Sequence, residues 1–193
     1  MFDTGDYVIR EYVGRDEPSW LRCRVLSFLP TAYFDDVVAQ KPPLRALGFE
    51  LVAVDVFETV VGVMDIVVDG TVATIDTLAV HPDHQHRGIA QALLARTIKQ
   101  AHRLALTELS AWTRDDRAAL SFYRAAGFAE IDHYLHVFAS RHADGGELDR
   151  AVDAVSPGLQ LVSAFFHADV EDEIELRQKF SRVHVCRRFT KAL

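Results

Sequence analysis

Two hydrophobic periods alternate along this chain. Tyr7 to Val13 alternates apolar and polar residues and reads as a first strand. Asp16, followed by Glu17 and Pro18, offers an N-cap with proline in the first turn. Trp20, Leu21, Val25, Phe28 and Leu29 then recur at three- and four-residue steps, so a helix is expected to run up to Pro30. Thr31 to Val38 reads as a second short helix and Lys41-Pro42-Pro43 as a connecting loop. Phe49 to Phe57, Val60 to Val68 and Val72 to Val80 are rich in Val, Ile and Phe, with Asp69-Gly70 as a hairpin turn, and together predict an antiparallel meander.

After His81-Pro82-Asp83-His84 the period changes from strand-like to helical, with Ile89, Leu93, Leu94, Ile98 and Ala101 on one face. Thr107 to Thr113 reads as a strand. Asp115 or Asp116 then caps a helix over Arg117 to Ala126, closed by Gly127, and a strand follows from Phe128 to about Phe138. Arg141 to Pro157 reads as a mobile excursion or, over Glu147 to Val155, a short amphipathic helix. Leu159 to His167 reads as a strand, Val170 to Phe180 as a helix with acids in its first turn and bases in its last, and Arg182 to Phe189 as a closing strand.

The 193 residues, 49% of them hydrophobic, suffice for one core and are few for two, so residues 1–193 read as a single domain. A net charge of -7 argues against nucleic acid as a partner. No apolar run approaches the ~18 residues of a membrane span, and the start of the chain carries no export signal, which points to the cytoplasm. Cys23 and Cys186 lie in amphipathic segments and read as buried thiols. His184 shares a strand face with Cys186, but neither cysteine has an obvious histidine partner that would make it a nucleophile.

The change of period falls on Gln85-His86-Arg87-Gly88-Ile89-Ala90. A strand feeding a glycine-bearing turn and a helix leaves backbone N–H groups unpaired at the positive end of the helix dipole, which is a site for phosphate. Gly88 and the small Ala90 permit close approach of an anion, and Arg87 can pair with phosphate oxygens. Taken alone, the hexapeptide is equally an ordinary break before a helix. His81, His84 and His86 lack acidic or thiolate companions at fixed spacing other than Asp83, so no metal is expected.

The longer pattern Ile75-Asp76-Thr77-Leu78-Ala79-Val80-His81-Pro82-Asp83, Gln85-x-x-Gly88-x-Ala90, then Asp116 and Ala119-x-x-Phe122-Tyr123-x-x-x-Gly127-Phe128 resembles the GNAT superfamily of N-acetyltransferases over about residues 45 to 138. The resemblance implies an α/β (α+β) fold: a mixed, mostly antiparallel twisted sheet of about seven strands flanked by helices, here with a C-terminal strand-helix-strand extension. Residues 141–180 would be an insertion before the last strand. It implies acetyl-CoA as cosubstrate, held by the main chain of Leu78 and Val80 along the pantetheine arm. Gln85, His86, Arg87, Gly88, Ile89 and Ala90 would lie around the pyrophosphate, and Tyr123 would face the sulfur. Asp116 is the further cofactor position and departs from the pattern, since many members carry asparagine there. A homodimer is common among such folds.

Acyl transfer to an amine needs a proton for the departing thiolate, and a phenol of pKa near 10 can hold that proton at neutral pH. Tyr123 is the candidate general acid, or else it packs its ring at the domain edge. Asp76 is the candidate base and Glu108 a weaker one, each equally readable as a surface or ion-pair residue. Trp20, Tyr33 and Phe34 fall where the family places its acceptor pocket. The expected function is transfer of an acetyl group by direct attack to a primary amine of a small molecule or peptide. The alternative is an acyl-CoA-binding sensor or assembly module that kept the fold without turnover.

Overall fold

The computed structural model describes residues 7–44, 47–143 and 146–193. Its single sheet has eight strands in the order β1-β2-β3-β4-β5-β8-β6-β7. These are β1 (Tyr7–Glu11), β2 (Gly48–Asp55), β3 (Val60–Asp69), β4 (Val72–Val80), β5 (Glu108–Thr113), β6 (Ala129–Ser140), β7 (Ser163–Ala168) and β8 (Arg182–Ala192). The helices are α1 (Glu17–Phe28), α2 (Ile89–Arg103), α3 (Arg117–Ala125), α4 (Glu147–Ala151) and α5 (Glu173–Lys179). β4 and β5 pair in parallel and every other neighbour pairs antiparallel.

One face of the sheet is covered by α2 and α3, whose Ile89, Leu93, Leu94, Ala101 and Tyr123 share a core with Met64, Ile66, Leu109 and Phe189. Further along the same face, Leu148 of α4 and Leu176 of α5 pack on Leu135, Val137, Val183 and Val185. α1 covers the opposite face of β2 to β4 through Trp20 and Cys23. Strand residues alternate between faces. Because Val183, Val185 and Phe189 look toward α2 to α5, the intervening Arg182, His184, Cys186 and Arg188 look the other way. Tyr134, His136 and Phe138 of β6 do the same, and Phe138 lies against Arg114 and Arg182, which bond the chain that follows α1.

That chain is the main departure from the sequence reading. Residues 31–38 form a turn over 32–35 followed by irregular chain, not a helix. In a helix the Ala32 carbonyl would accept from Asp36 N–H, but Asp36 N–H bonds Tyr33 O at 2.9 Å. The Ala32 carbonyl is instead taken by the guanidinium groups of Arg114 and Arg182. Tertiary contacts thereby override local propensity.

Other differences are smaller. β7 pairs along β6 at the sheet's edge, so the C-terminal extension joins the expected sheet of about seven strands as its eighth. β7 begins at Ser163 rather than Leu159, and Val170–Asp172 is a tight 3-10 turn before α5. Asp69 pairs with Val72, which makes Gly70-Thr71 the hairpin loop, with Gly70 at φ +57°. The Asp16 carboxylate does not cap α1; it accepts from Arg10 and from Val13 N–H. α1 buries Trp20, Cys23, Arg24 and Ser27, a stripe turned away from Leu29, because Arg24 is bonded to Asp36 and lies over the Phe28 ring. For residues 141–157 the helical alternative holds in α4, where the fully buried Glu147 accepts from Ser140 and Ser181 N–H; residues 144 and 145 lie outside the described residues.

Two features of this frame are testable. A Cβ added at Gly62 of β3 would stand 2.6 Å from Ile89 Cγ2 and 3.2 Å from Leu93 Cδ1, so α2 sits against bare backbone there. Gly62→Ala should cost about 1–3 kcal/mol of stability, read by denaturant unfolding; an unchanged midpoint would show that α2 is free to ride outward. Under α1, Lys41 Nζ contacts Glu50 and stands 3.5 Å from Asp65, and the Lys41 and Asp65 side chains are almost out of water. Burial pushes the Asp65 carboxyl up to about 6, overcoming the pull of Lys41. The unfolded chain releases that proton near pH 4. The folded state therefore gains from proton uptake at low pH and loses that gain as pH rises from about 4 to 6, on the order of 2–3 kcal/mol. Asp65→Asn should abolish this component, so its melting temperature relative to the parent should rise across that window. A constant difference would refute it.

Candidate active site

β4 and β5 pair from Val72↔Glu108 to Ile75↔Ala111, and there the ladder ends although both strands run on. The register of β3 and β4 slips between Asp65 and Ile66, so that Ile75 and Thr77 find partners and Asp76 is the extra residue of a bulge. A bulge twists its strand, and β4 swings away from β5 at this point. The β5-facing main chain from Asp76 to Val80 is left without a strand partner.

The gap opens into a cavity of about 1070 Å³. Leu78, Val80, Gln85, His86, Gly88, Ile89 and Ala90 lie on one side of it, Asp116 and Tyr123 on another. Trp112, Tyr134 and Cys186 line it further along. Asp76 also lines it, on the exposed side of β4.

The turn into α2 has the geometry expected of an anion cradle. Gly88 is the N-cap at φ +79° and offers no side-chain oxygen, so the first amides of α2 keep no side-chain partner. A Cβ at Gly88 would meet only Tyr7 Oη at 3.9 Å, so the glycine is needed for its left-handed backbone and not for room. His86 also sits at φ +61°, an uncommon conformation for a side-chain-bearing residue and one that composition did not reveal. Gln85 Nε2 donates to Val80 O at 3.1 Å and pins the turn to the end of β4. Ile89 is buried in the core and anchors the helix start. Arg87 is exposed at the rim, outside the cavity lining. His81 Nδ1 accepts from Asp83 N–H, and among the described residues no group of three His, Cys, Asp or Glu side chains is arranged to hold a metal.

Tyr123 is 5% exposed. Its ring stacks on Phe189 at 5.6 Å and meets Phe122 and Phe128 edge-on. Burial, with a smaller push from Tyr33, raises its phenol well above the usual range and keeps it protonated at neutral pH.

Asp116 stands at the start of α3 but its side chain does not cap it. The carboxylate accepts Ala32 N–H at 3.1 and 3.3 Å, which ties α3 to the chain after α1. The expected cap is thus replaced by a long-range contact. Glu108 is not brought to the cavity: it lies at the far end of β5, 3.6 Å from Arg188, and has the ion-pair role. Trp20 is core under α1, Phe34 is half exposed against Arg182, and only Tyr33 of the three aromatic candidates reaches the cavity. Both cysteines are free and buried, and burial pushes their thiols up, Cys23 to about 12. His184 is engaged by Asp115 at 2.8 Å, so no Cys–His nucleophile forms.

Sequence reading missed Arg114, Tyr134 and His136. Arg114 Nε donates to His136 Nδ1 at 3.1 Å, and His136 Nε2 stands 3.0 Å from Tyr134 Oη. The signal was present as the alternation Tyr134, His136, Phe138 along one strand, but strand period alone does not say which face borders a cavity.

A model of the acetyltransferase (GNAT) family matches residues 10–128. Among solved structures, a GNAT-family acetyltransferase from Staphylococcus aureus Mu50 matches with a TM-score of 0.59 at 16% identity, over 97% of this chain and 99% of that one. The ribosomal-protein-S18-alanine N-acetyltransferase of Escherichia coli matches at 0.58 with 14% identity, over 96% and 93%. A GNAT acetyltransferase from Elizabethkingia anophelis with acetyl-CoA bound matches at 0.52 with 14% identity, over 98% and 100%. At such identities the likeness speaks for the fold alone. No curated protein matches the chain. The sheet order, the splayed parallel pair and the family match agree: this chain belongs to the GNAT acetyltransferase family.

Proposed function

We propose that the protein is a single-domain cytoplasmic N-acetyltransferase, residues 1–193, that moves the acetyl group of acetyl-CoA to a primary amine by direct attack. The observation that supports this most is the convergence of three features on one cavity: a splayed β4–β5 edge, an uncapped helix start and the Tyr123 phenol. In this reading the amides from His86 to Ala90 hold the pyrophosphate, aided by the dipole of α2. The unpaired main chain at Leu78 and Val80 bonds the pantetheine arm, with Gln85 yielding its bond to Val80 O.

The amine nitrogen attacks the thioester carbonyl carbon, the carbon–sulfur bond breaks, and the products are an amide and a thiol. The nitrogen's proton leaves to Asp76 or to water beside it. A lysine-like amine of pKa about 10.4 must lose a proton at a cost of roughly 4 kcal/mol near pH 7.4, so a carboxylate at the bulge is well placed to receive it. Tyr123 gives its proton to the departing thiolate. Burial that raises the phenol also raises a thiol desolvated beside it, so the transfer is closer to balanced than free pKa values imply.

Calorimetric titration with acetyl-CoA, followed by thiol release against a panel of amines, tests the reading. Saturable cofactor binding with release from at least one amine is expected. Binding without release from any amine, unaltered by Tyr123→Phe, would establish a sensor instead. Tyr123→Phe should lower kcat by roughly a hundredfold or more, with cofactor affinity retained; undiminished kcat removes Tyr123 from the acid role. Gly88→Val should weaken acetyl-CoA binding and cost about 1–2 kcal/mol of stability, since the left-handed backbone is strained for any side chain. Wild-type affinity in that variant would place the phosphates elsewhere.

A further inference from the structure

At the end of the cavity away from the phosphate turn, three side chains form a one-way hydrogen-bond relay. Arg114 has only donors to offer, and its Nε–H bonds His136 Nδ1 at 3.1 Å. His136 must therefore accept at Nδ1 and carry its hydrogen on Nε2. Burial and the neighbouring Arg114 charge hold His136 neutral, lowering it to about 4. Its Nε2–H then donates to Tyr134 Oη at 3.0 Å. Tyr134, which lines the cavity, has thus received its bond and still has its own O–H to give.

Among the described residues no oxygen or nitrogen accepts that proton. Its described partner is the Cys186 thiol, itself on the cavity wall, and sulfur is a weak acceptor. Behind the relay, Arg114 is 8% exposed and, among the described residues, makes no ion pair with a carboxylate; it is balanced by the Ala32 carbonyl and by the faces of Tyr33 and Phe138. Buried cations are usually paired. The arrangement is a polarised donor on the cavity wall whose described acceptor is the weak Cys186 sulfur.

We infer that Tyr134 is the anchor for an oxygen of the acceptor substrate, so that the preferred substrates are amines bearing a carbonyl or carboxylate on the adjacent carbon. Amino acids, amino amides and peptide N-termini share that chemistry; simple alkylamines lack it. Arg114 and His136 are positioning residues: they act through Tyr134 and fix which way its proton points. The inference rests on the acetyltransferase reading for the identity of the cavity, and adds to it the class of amine.

Matched pairs test it: phenylalaninamide and phenylalanine against phenethylamine, and leucinamide and leucine against isoamylamine, compared by kcat/KM from thiol release. A site built to bond an oxygen should prefer the oxygen-bearing members by about tenfold or more. The amide and acid arms distinguish a neutral carbonyl from a carboxylate. Tyr134→Phe should bring the ratio close to one. Cys186→Ser supplies an internal oxygen for the Tyr134 proton and should lower the ratio several-fold without emptying the wall, whereas a purely structural role for Tyr134 predicts an unaltered ratio in that variant. A wild-type ratio near one, or a ratio untouched in both variants, overturns the inference. If no amine is turned over, the same pairs are titrated into coenzyme-A-saturated protein and the ratio of dissociation constants decides, so that loss of the acetyltransferase reading and loss of the oxygen anchor are separate results.

Discussion

The site depends on the premature end of one ladder. A parallel β pair is held by evenly spaced bonds, and nothing in the side chains of Asp76 to Val80 forbids continuing toward Trp112 and Thr113. What stops it is the bulge at Asp76, set by the opposite neighbour: β3 stays in register with β4 on both sides of the slip, and the extra residue must be absorbed by curving β4 away from β5. The cost is a run of main-chain donors and acceptors left unpaired at the sheet's centre, which is tolerable only where a ligand or water can reach them. The same curvature delivers the end of β4 to the start of α2, where Ile89 and Leu93 are seated against bare Gly62. Splay, turn and helix start are therefore one mechanical unit.

The chain after α1 closes the other end of the cavity, and its shape is dictated from outside. Asp116 takes Ala32 N–H, Arg114 and Arg182 take Ala32 O, Tyr33 Oη accepts Arg114 N–H at 2.9 Å, and Arg182 grips Asp35 with both nitrogens. Arg24 holds Asp36 from α1. Contacts from α1, from the turn between β5 and α3, and from β8 thus converge on four residues, Ala32, Tyr33, Asp35 and Asp36, so this wall of the cavity is assembled from segments more than eighty positions apart in sequence, as in the bonds between Ala32 and Asp116 or Arg114. The last strand contributes directly, because β8 enters between β5 and β6 and brings Cys186 and Arg182 to this place. The C-terminal extension completes the sheet and lines the cavity at once.

Local features were legible in the sequence to the extent that their physics is local. The meander, the switch into α2 and the Gly127 end of α3 were readable from hydrophobic period and from glycine's tolerance of positive φ, here +79°. The hairpin loop was misplaced by one residue because Asp-Gly fits a turn as well as Gly-Thr does until strand register decides. Thr31 to Val38 has a helical pattern, and only the distant arginines and Asp116 overrule it. Asp116 itself looked like a cap because caps are local, whereas its actual partner is Ala32. Glu108 and Asp76 are both acids on neighbouring strands, and nothing in composition says that one lies at the paired end and the other at the splayed end.

The two cavity tyrosines illustrate how environment divides one chemistry into two. Tyr123 is surrounded by Phe122, Phe128 and Phe189, with no described hydrogen-bond partner for its hydroxyl, and burial chiefly governs it. A phenol in such a place stays neutral and holds its proton until a stronger base, such as a desolvated thiolate, arrives. Tyr134 is half-buried and is bonded by His136, whose tautomer Arg114 fixes. Its burial also raises the phenol, to about 12, so it too stays protonated, but here the proton is aimed by a relay rather than merely retained. One tyrosine is suited to give a proton away within a reaction and the other to share one while binding. The difference arises from what packs behind each ring, three phenylalanines in one case and a buried arginine in the other.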